Sequence, residues 1–302
     1  MNINIKTTDE VMQRGLQLMN YSLERQARLL RPRRIERFKK LFGLHPSTYA
    51  KTWSQLQTTN IIQAQIQPDQ RTDKAFNMFL MFLYFLKAYG KEEDVASRFE
   101  IHEQTMRKWV KLYAAKLEAL LPEYVKWPAD HEWGTTFIIS VDCVNFGTNE
   151  PRHPTLHKNK KMFDRKNGKA GLTYEIALHL WESRVVWFNG PYPPNDGGDR
   201  AIFVYKGLND KIPDGKKAVA DKIYKGLAKI ALHNSLDDEE TRQFKARARS
   251  RQESINARLK SFGVLKQRFR HRGGLPKHKT FASAVMTLVC VSLEDGAPLF
   301  SV

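Results

Sequence analysis

Three acids in the second half of the sequence are spaced so that they could act together on a phosphate ester. Asp142 lies in the apolar stretch TTFIISVDCVNF, Asp221 follows the apolar stretch KAVA, and Glu253 lies in a long basic stretch. A carboxylate in an apolar strand is costly unless it is paired or bound to a metal ion. Carboxylate oxygens suit Mg²⁺ or Mn²⁺, and two such ions about 4 Å apart can activate a water and stabilise the leaving oxygen of a phosphodiester.

Glu253 is the most informative of the three because its surroundings are so basic. Between residues 242 and 279 the sequence has thirteen Lys or Arg residues, and Glu253 is the one acid. At 100° per residue, Glu253 faces away from the apolar stripe of the predicted helix. The residues that share its face are Arg249, Asn256 and Lys260.

Each acid also has an ordinary structural explanation. Asp142 could cap a turn after its strand, and Asp221 could be the N-cap of a helix. Asp199, in the turn NDGGDRAIF, could likewise cap the helix that starts at AIF. Glu253 could form a surface salt bridge with Arg249, which would contribute little to stability.

The elements around these acids combine strands with long helices. The predicted strands are Thr135–Phe146, which ends near Asp142, Leu172–Trp181, Arg184–Gly190 and Lys216–Asp221. The predicted helices start at AIFVYKGL, at about Ser235 (running to Arg272, with a bend at Gly263) and at His278 (running to Asp295). Three strands, a helix, a fourth strand and then long helices is the order of an RNase H-like α/β domain. In that architecture one acid on the first strand, one after the fourth strand and one on a late helix form a metal site.

The first 126 residues have a helical pattern instead. Predicted helices at Ala75–Tyr89, Lys91–Phe99 and Glu103–Leu121 resemble a helix-turn-helix, because the second is short and a tight turn follows it. Arg107 and Lys108 lie on the outer face of the third helix, where major-groove reading needs polar and basic residues. An ordinary helical hairpin is the alternative. We therefore predict an all-α helix-turn-helix domain over residues 1–126 that binds DNA, and an α/β, RNase H-like catalytic domain over residues 127–302.

The net charge indicates a polyanionic partner. The sequence has 50 Lys and Arg against 32 Asp and Glu, a net charge of +18. Nucleic acid is the leading partner class and an anionic membrane surface the second. The basic residues fall in separated segments, which favours a long anionic track. One segment, Arg28–Lys40, is of the kind read by nuclear import receptors or by phosphates. The residues of the second half that we predict to hold the DNA backbone are Lys158, Lys160, Lys161, Lys166, Arg249 and Lys260.

Several other classes of protein do not fit the sequence. The most apolar run, Ala75–Leu86, is too short to cross a bilayer, so we predict no membrane partner. Two cysteines, Cys143 and Cys290, cannot form a disulfide framework or a structural zinc site. Zinc catalysis is not supported either, because His153 and His157 flank Pro154 and do not share a helix face.

Several ordered motifs resemble those of the PIF/Harbinger-type DDE transposases, from about Thr135 to the C-terminus. They are WFNGPYPPNDGGDRAIF, AVADKIYKGL, ARARSRQESINARLKSFGVLKQRF and the terminal apolar helix. The resemblance implies a nuclease that uses a divalent cation, Mg²⁺ or Mn²⁺, cuts DNA at element ends and joins the 3′-OH to target DNA. Carried over motif by motif, it implies that Asp142 is the first acid, Asp199 the acid after the Gly-rich turn, Asp221 the acid before the tyrosine and Glu253 the helix acid.

The sequence departs from the family pattern at two positions. Cys143 and Val144 stand where the family often has Gly-Thr, and Ile223 stands where it often has Gly before the tyrosine. The resemblance further implies a nuclear protein that acts on double-stranded DNA as a homo-oligomer, in many relatives with a Myb-like DNA-binding partner. The alternative function is a host-adopted DNA-binding protein that no longer cuts. An RNA-binding or RNase H-type enzyme would share the metal site, but the predicted helix-turn-helix, a reader of duplex DNA, disfavours it.

Overall fold

The chain forms two compact units. The computed structural model describes residues 5–58, 71–129, 136–149, 160–195, 197–232, 237–271 and 274–302. Unit 1 comprises Met1–Leu121, Ser261–Val264 and Thr280–Gly296, and unit 2 comprises Pro122–Lys260, Leu265–Lys279 and Ala297–Val302. This differs from the predicted division after residue 126, because the chain returns to the helical unit twice after Lys260. The roles that we assigned to the two domains stay predictions.

Unit 1 is helical and has an aromatic core. Its helices are α1 (Thr8–Leu18), α2 (Leu23–Ala27), α3 (Arg31–Phe42), α4 (Pro46–Thr58), α5 (Arg71–Ala88), α6 (Glu92–Arg98) and α7 (Glu103–Tyr124). Trp53 and Tyr113 both pack on Phe79, each with ring centroids 5.4 Å apart. Helices α5 to α7 correspond to the three predicted helices, but α7 continues through Pro122 to Tyr124.

The terminal helix also contributes to this core. Helix α12 (Gly274–Glu294) belongs to unit 1 from Thr280 onward. The Phe281 ring packs against Phe85, and the Thr287 hydroxyl donates a hydrogen bond to the Leu117 carbonyl at 2.8 Å. The core of unit 1 is therefore built from both ends of the sequence. Within the described ranges, no helix is both long and apolar enough to cross a membrane.

Unit 2 is a mixed α/β unit with a curled sheet. Its strands are β1 (Phe137–Gly147), β2 (Phe163–Asp164), β3 (Lys169–His179), β4 (Val185–Tyr192), β5 (Lys217–Ala220) and β6 (Ile230–Leu232). Strands β1 and β3 pair antiparallel, β4 pairs antiparallel with β3, and β5 runs parallel to both β1 and β6. The other helices after β4 are α8 (Gly198–Tyr205), α9 (Leu208–Lys211), α10 (Glu239–Lys260) and α11 (Gly263–Lys266).

Two predicted boundaries were wrong. Strand β1 does not end near Asp142 but continues to Gly147, so that Asp142 pairs with Ile176 in the middle of the β1–β3 ladder. The long helix ends at Lys260 instead of Arg272. Instead of the predicted bend within one helix, a new helix begins at Gly263. The backbone packs closely there, since a Cβ atom at Gly263 would lie 2.7 Å from the Lys87 carbonyl oxygen.

The two faces of the sheet have different partners. On one face, Ile139 and Val141 of β1 pack in a buried cluster with Phe203 of α8 and with Tyr224. On the other face, Val219 of β5 packs with Ala248 of α10. Side chains alternate between the two faces along a strand. Ile139 and Val141 face α8, so Ser140 and Asp142 of β1 face α10.

Candidate active site

Hydrogen bonds between β1 and α10 fix the position of Glu253 on the helix. Ser140 donates from its hydroxyl to Gln252 Oε1 at 3.1 Å, and Asn256 Nδ2 donates to Asp142 Oδ2 at 3.0 Å. Ser140 and Asp142 are two residues apart on one face of a strand, while Gln252 and Asn256 are four apart on one face of a helix. The two pairs together set the rotation of α10 about its axis. Glu253, the residue after Gln252, therefore has a fixed position relative to Asp142.

All four predicted acids line one cavity of about 510 Å³ in unit 2. Asp142 comes from β1, Asp199 from the first turn of α8, Asp221 from the residue after β5, and Glu253 from α10. The fold therefore brings together acids that are far apart in the sequence. The other lining residues include Ser140, Cys143, Asn145, Ile223, Gln252 and Asn256.

Burial and repulsion between carboxylates raise the pKa values of two of these acids. The pKa of Asp142 is raised to about 6, chiefly by burial and then by the carboxylates of Asp199 and Asp221, against the hydrogen bonds from the Cys143 backbone and from Asn256. Burial also raises the pKa of Asp199, with Asp221 acting in the same direction. A cation in the cavity would relieve both effects, because it favours the ionised form of each carboxyl.

Asp221 and Glu253 are arranged differently. Asp221 Oδ1 accepts a hydrogen bond from the Ile223 backbone N–H at 2.9 Å, which caps a 3₁₀ helix over Lys222–Tyr224. The capping explanation is thus correct for Asp221, although its side chain lines the cavity as well. Glu253 is exposed, and within the described part of the chain it forms no hydrogen bond or ion pair, including the salt bridge expected with Arg249.

The chemistry of the cavity fits a divalent cation. Among the residues that the structure describes, no three His, Cys, Asp or Glu side chains are grouped closely enough to hold an ion by themselves. Mg²⁺ does not need such a group, because it is commonly held by one or two carboxylates, several waters and substrate phosphates. The lining acids supply hard oxygen ligands, and the buried Asn256 Oδ1 has no hydrogen-bond partner in the described ranges.

Basic residues surround the acids as predicted. Lys166, Arg249 and Lys260 line the same cavity. Burial lowers the pKa of Lys260, and the nearby Lys166 lowers it further, so the two ammonium groups are close enough to repel. Lys161 is exposed, while Lys158 and the side chain of Lys160 lie outside the described residues.

The two residues predicted to read DNA lie in unit 1, on α7, and Arg107 is already paired. Its Nε lies 2.5 Å from Glu92 Oε2 and its Nη2 lies 2.5 Å from Glu103 Oε2. Lys108 is exposed. The charge of Arg107 is thus largely compensated within the helical unit, which the sequence pattern did not reveal.

Sequence reasoning missed two buried acids of unit 2. Glu175, on β3 opposite Cys143, accepts a hydrogen bond from Trp187 Nε1 at 2.9 Å, and burial raises its pKa to about 7. The available signal was an acid inside the apolar stretch LTYEIALHL. Asp164 shapes the turn that carries Lys166, because Asp164 Oδ1 accepts the Lys166 backbone N–H at 3.0 Å. It lies in a basic loop, where the sequence offered no signal.

Comparison with known families identifies the family of the chain. The profile of a family described as the DDE superfamily endonuclease matches residues 141–292, half of the 302-residue chain. The chain belongs to this family, which indicates a transposase-like nuclease that acts on DNA. The matched segment contains Asp142, Asp199, Asp221 and Glu253. No curated protein and no solved structure matches the chain.

Proposed function

We propose that the chain is a DDE transposase of the PIF/Harbinger type, a divalent-metal-dependent endonuclease and strand transferase that acts on transposon ends. The observation that carries the proposal is the cavity of unit 2, which is lined by four acids from four separate elements and by Lys166, Arg249 and Lys260. Acids suit metal ions, and the surrounding bases suit the phosphates of the substrate. A cavity with both is the arrangement that phosphodiester cleavage needs.

The strand connectivity supports an RNase H-like catalytic domain. The long antiparallel strands β1, β3 and β4 follow one another along the chain, apart from the two-residue β2, and β5 and β6 then extend the sheet in parallel on the other side of β1. Asp142 is on the first strand, Asp221 follows β5, and Glu253 is on the next long helix. These are the positions expected of the acids in that architecture.

Each residue of the cavity has a role in this proposal. Asp142, Asp221 and Glu253 are the catalytic acids, and with Asp199 they would hold Mg²⁺ or Mn²⁺. When bound, such an ion supplies Lewis-acid stabilisation of the phosphoryl oxygens and lowers the pKa of water. Asn256 orients Asp142 through its hydrogen bond. Lys166, Arg249 and Lys260 would hold the DNA backbone by charge.

The remaining parts of the proposal concern recognition. Helices α5 to α7 have the lengths and short connections of a helix-turn-helix, with Lys108 exposed on the third helix. We further propose a nuclear protein that binds double-stranded DNA as a homo-oligomer and is assisted in the cell by a Myb-like partner protein. The net charge of +18 supports a nucleic-acid partner.

Nicking of supercoiled plasmid tests the nuclease proposal. We expect the wild-type protein to nick DNA with Mg²⁺ or Mn²⁺ and to stop when the ion is chelated. Asp142→Asn should lower the nicking rate by at least about a hundredfold, because it removes a charge from the metal site. The matched control is Asp210→Asn, which alters an exposed acid of α9 outside the cavity and should cut normally.

Two results would change the proposal. If Asp142→Asn cuts as fast as the wild type, the active-site assignment is wrong. If the wild type binds duplex DNA but cuts with neither ion, the chain is a host-adopted DNA-binding protein that has kept the family fold.

A further inference from the structure

The most basic stretch of the described helical unit lies on α2 and α3, not on α6 and α7. Residues 25–40 contain eight Lys or Arg and one acid, Glu36. That acid is already engaged, since its Oε1 lies 2.8 Å from Lys39 Nζ. By contrast, residues 75–121, which hold the predicted helix-turn-helix, contain seven bases and six acids. The expected DNA-reading helices are therefore nearly neutral, whereas α2 and α3 are strongly positive.

Helix α3 presents its bases in a row. Phe38 and Phe42 are fully buried and stack with ring centroids 4.5 Å apart, which fixes the inward face of the helix. Arg33, Arg37 and Lys40 follow at spacings of four and three residues on the opposite side, so their side chains are neighbours. Arg33 and Lys40 are exposed, and Arg37 is half-buried.

Tyr21 brings a fourth base to this row. The guanidinium carbons of Arg25 and Arg37 each lie 4.6 Å from the centroid of the Tyr21 ring, so the two groups are within twice that distance of each other. At a separation of up to about 9 Å, close to the Debye length at physiological salt, the two charges repel each other, and salt weakens this repulsion. We name the surface formed by Arg25, Arg33, Arg37 and Lys40 the arginine face.

The positive charge of the arginine face is only weakly compensated in the described structure, where the Glu36 carboxylate, paired with Lys39, also attracts Lys40. None of its four residues forms an ion pair with another described residue, unlike the neighbouring Arg31, whose Nε lies 3.2 Å from Asp9 Oδ1. Like charges at these helical spacings destabilise the free helix. A bound polyanion would relieve the repulsion, and guanidinium groups match the oxygens of phosphate in a bidentate manner.

We propose that the arginine face binds the phosphate backbone of double-stranded DNA, as a second contact surface in addition to the catalytic cavity. The choice of DNA rests on the proposed function. An anionic membrane fits less well, because interfacial helices need a free apolar face and the apolar face of α3 is buried in the core of unit 1. Phosphate contacts of this kind add affinity without reading the base sequence.

The salt dependence of DNA binding tests this surface directly. The variant is Arg33→Gln with Arg37→Gln and Lys40→Gln, in the full-length chain. Binding to a short duplex is measured without divalent metal over a series of salt concentrations. Each phosphate contact contributes about 0.9 to the slope of log affinity against log salt. We therefore expect the slope to become shallower by about 2 to 3.

The matched control removes two bases of the same helix that are already paired, by Arg31→Gln and Lys39→Gln. Its slope should change by less than about 1, because Arg31 is held by Asp9 and Lys39 by Glu36. The proposal is overturned if the arginine-face variant keeps the wild-type slope, or if the paired-base variant loses as much. It is also overturned if the arginine-face substitutions abolish binding to phosphatidylserine vesicles or to an import receptor while DNA binding is unchanged.

Two further measurements separate the possible failures. The arginine-face variant should unfold at a temperature no lower than that of the wild type, since like-charge repulsion is removed. If it misfolds, Arg33→Gln alone should still make the slope shallower by about 1, and an unchanged slope contradicts the proposal. Because these measurements use no metal, a protein that binds through this face but never cuts DNA refutes the nuclease proposal alone.

Discussion

The acid cavity of unit 2 and the arginine face of unit 1 are assembled in opposite ways. The cavity collects one acid from each of four elements, between Asp142 on β1 and Glu253 on α10. The arginine face lies within residues 25–40, and the 3.6-residue period of one helix aligns most of it. A surface that supplies affinity can thus be local in the sequence, whereas a site that performs chemistry depends on the sheet and the helix packed on it.

The two regions also handle repulsion differently. In the cavity, the pKa values of Asp142 and Asp199 are raised by burial and by neighbouring carboxylates, so these groups can lose their charge by taking up a proton. Guanidinium groups stay charged at every physiological pH. The repulsion within the arginine face can therefore be reduced only by a bound counter-ion. Clusters of like charge lower stability, and a ligand of opposite charge is the simplest reason for a protein to keep them.

Gln252→Ala tests whether tertiary contacts build the cavity. The substitution leaves the Ser140 hydroxyl and the Ile176 carbonyl without their partner and frees the rotation of α10. We expect metal-dependent nicking to fall about tenfold or more, because small displacements of catalytic groups are costly. The free energy of unfolding should fall by about 1–3 kcal/mol. Duplex binding should stay near that of the wild type, since no basic residue is changed.

Gln243→Ala is the control for that variant, because it makes the same change at an exposed position of the same helix. It should cut normally. Full nicking activity in Gln252→Ala would mean that α10 keeps its rotation without this anchor, and would weaken the contrast between the two regions.

Glu175→Gln tests whether a buried carboxyl group of unit 2 titrates with pH, unlike the guanidinium groups of the arginine face. The folded-state pKa of Glu175 is about 7 against an ordinary value of 4.5. The unfolded chain therefore releases its proton first, and the wild-type protein loses stability as the pH rises from about 4.5 to 7. Above that range Glu175→Gln should be more stable than the wild type by on the order of 1–3 kcal/mol. The amide oxygen can still accept the hydrogen bond from Trp187.

Denaturant unfolding at several pH values checks this expectation. The advantage of the variant should disappear near pH 4.5, where the carboxyl of the wild type is protonated in the folded state. A difference that does not vary with pH would show that Glu175 does not titrate in this range. Arg33→Gln on the arginine face should leave the pH dependence of stability unchanged.

Much of the fold followed from local patterns in the sequence. The apolar stretch TTFIISVDCVNF predicted β1, and the apolar period of α10 put Glu253 on the same face as Arg249 and Asn256, which the cavity bears out. Boundaries were less predictable, because the pairing of β1 with β3 extends the strand to Gly147 through hydrogen bonds that no local pattern reveals. The return of the chain to unit 1 at Ser261 and Thr280 was missed for the same reason.

The candidate site residues also differ in whether the sequence alone reveals them. The acids could be found because a charge in an apolar strand, or alone in a basic helix, is conspicuous. The pairing of Arg107 with Glu92 could not be found, since it joins two helices through side-chain geometry. Gln252 and Asn256 look like ordinary polar residues until β1 is packed against α10.

The most direct test of the central claim compares two identical substitutions on one helix, Glu253→Gln and Glu240→Gln. Both remove one carboxylate from α10, but Glu253 lines the cavity whereas Glu240 lies exposed in the first turn. We measure Mn²⁺-dependent nicking and metal-free duplex binding for each variant. We expect Glu253→Gln to cut at least about a hundredfold more slowly while binding DNA normally. We expect Glu240→Gln to cut like the wild type. Equal cutting by Glu253→Gln and Glu240→Gln would contradict this expectation.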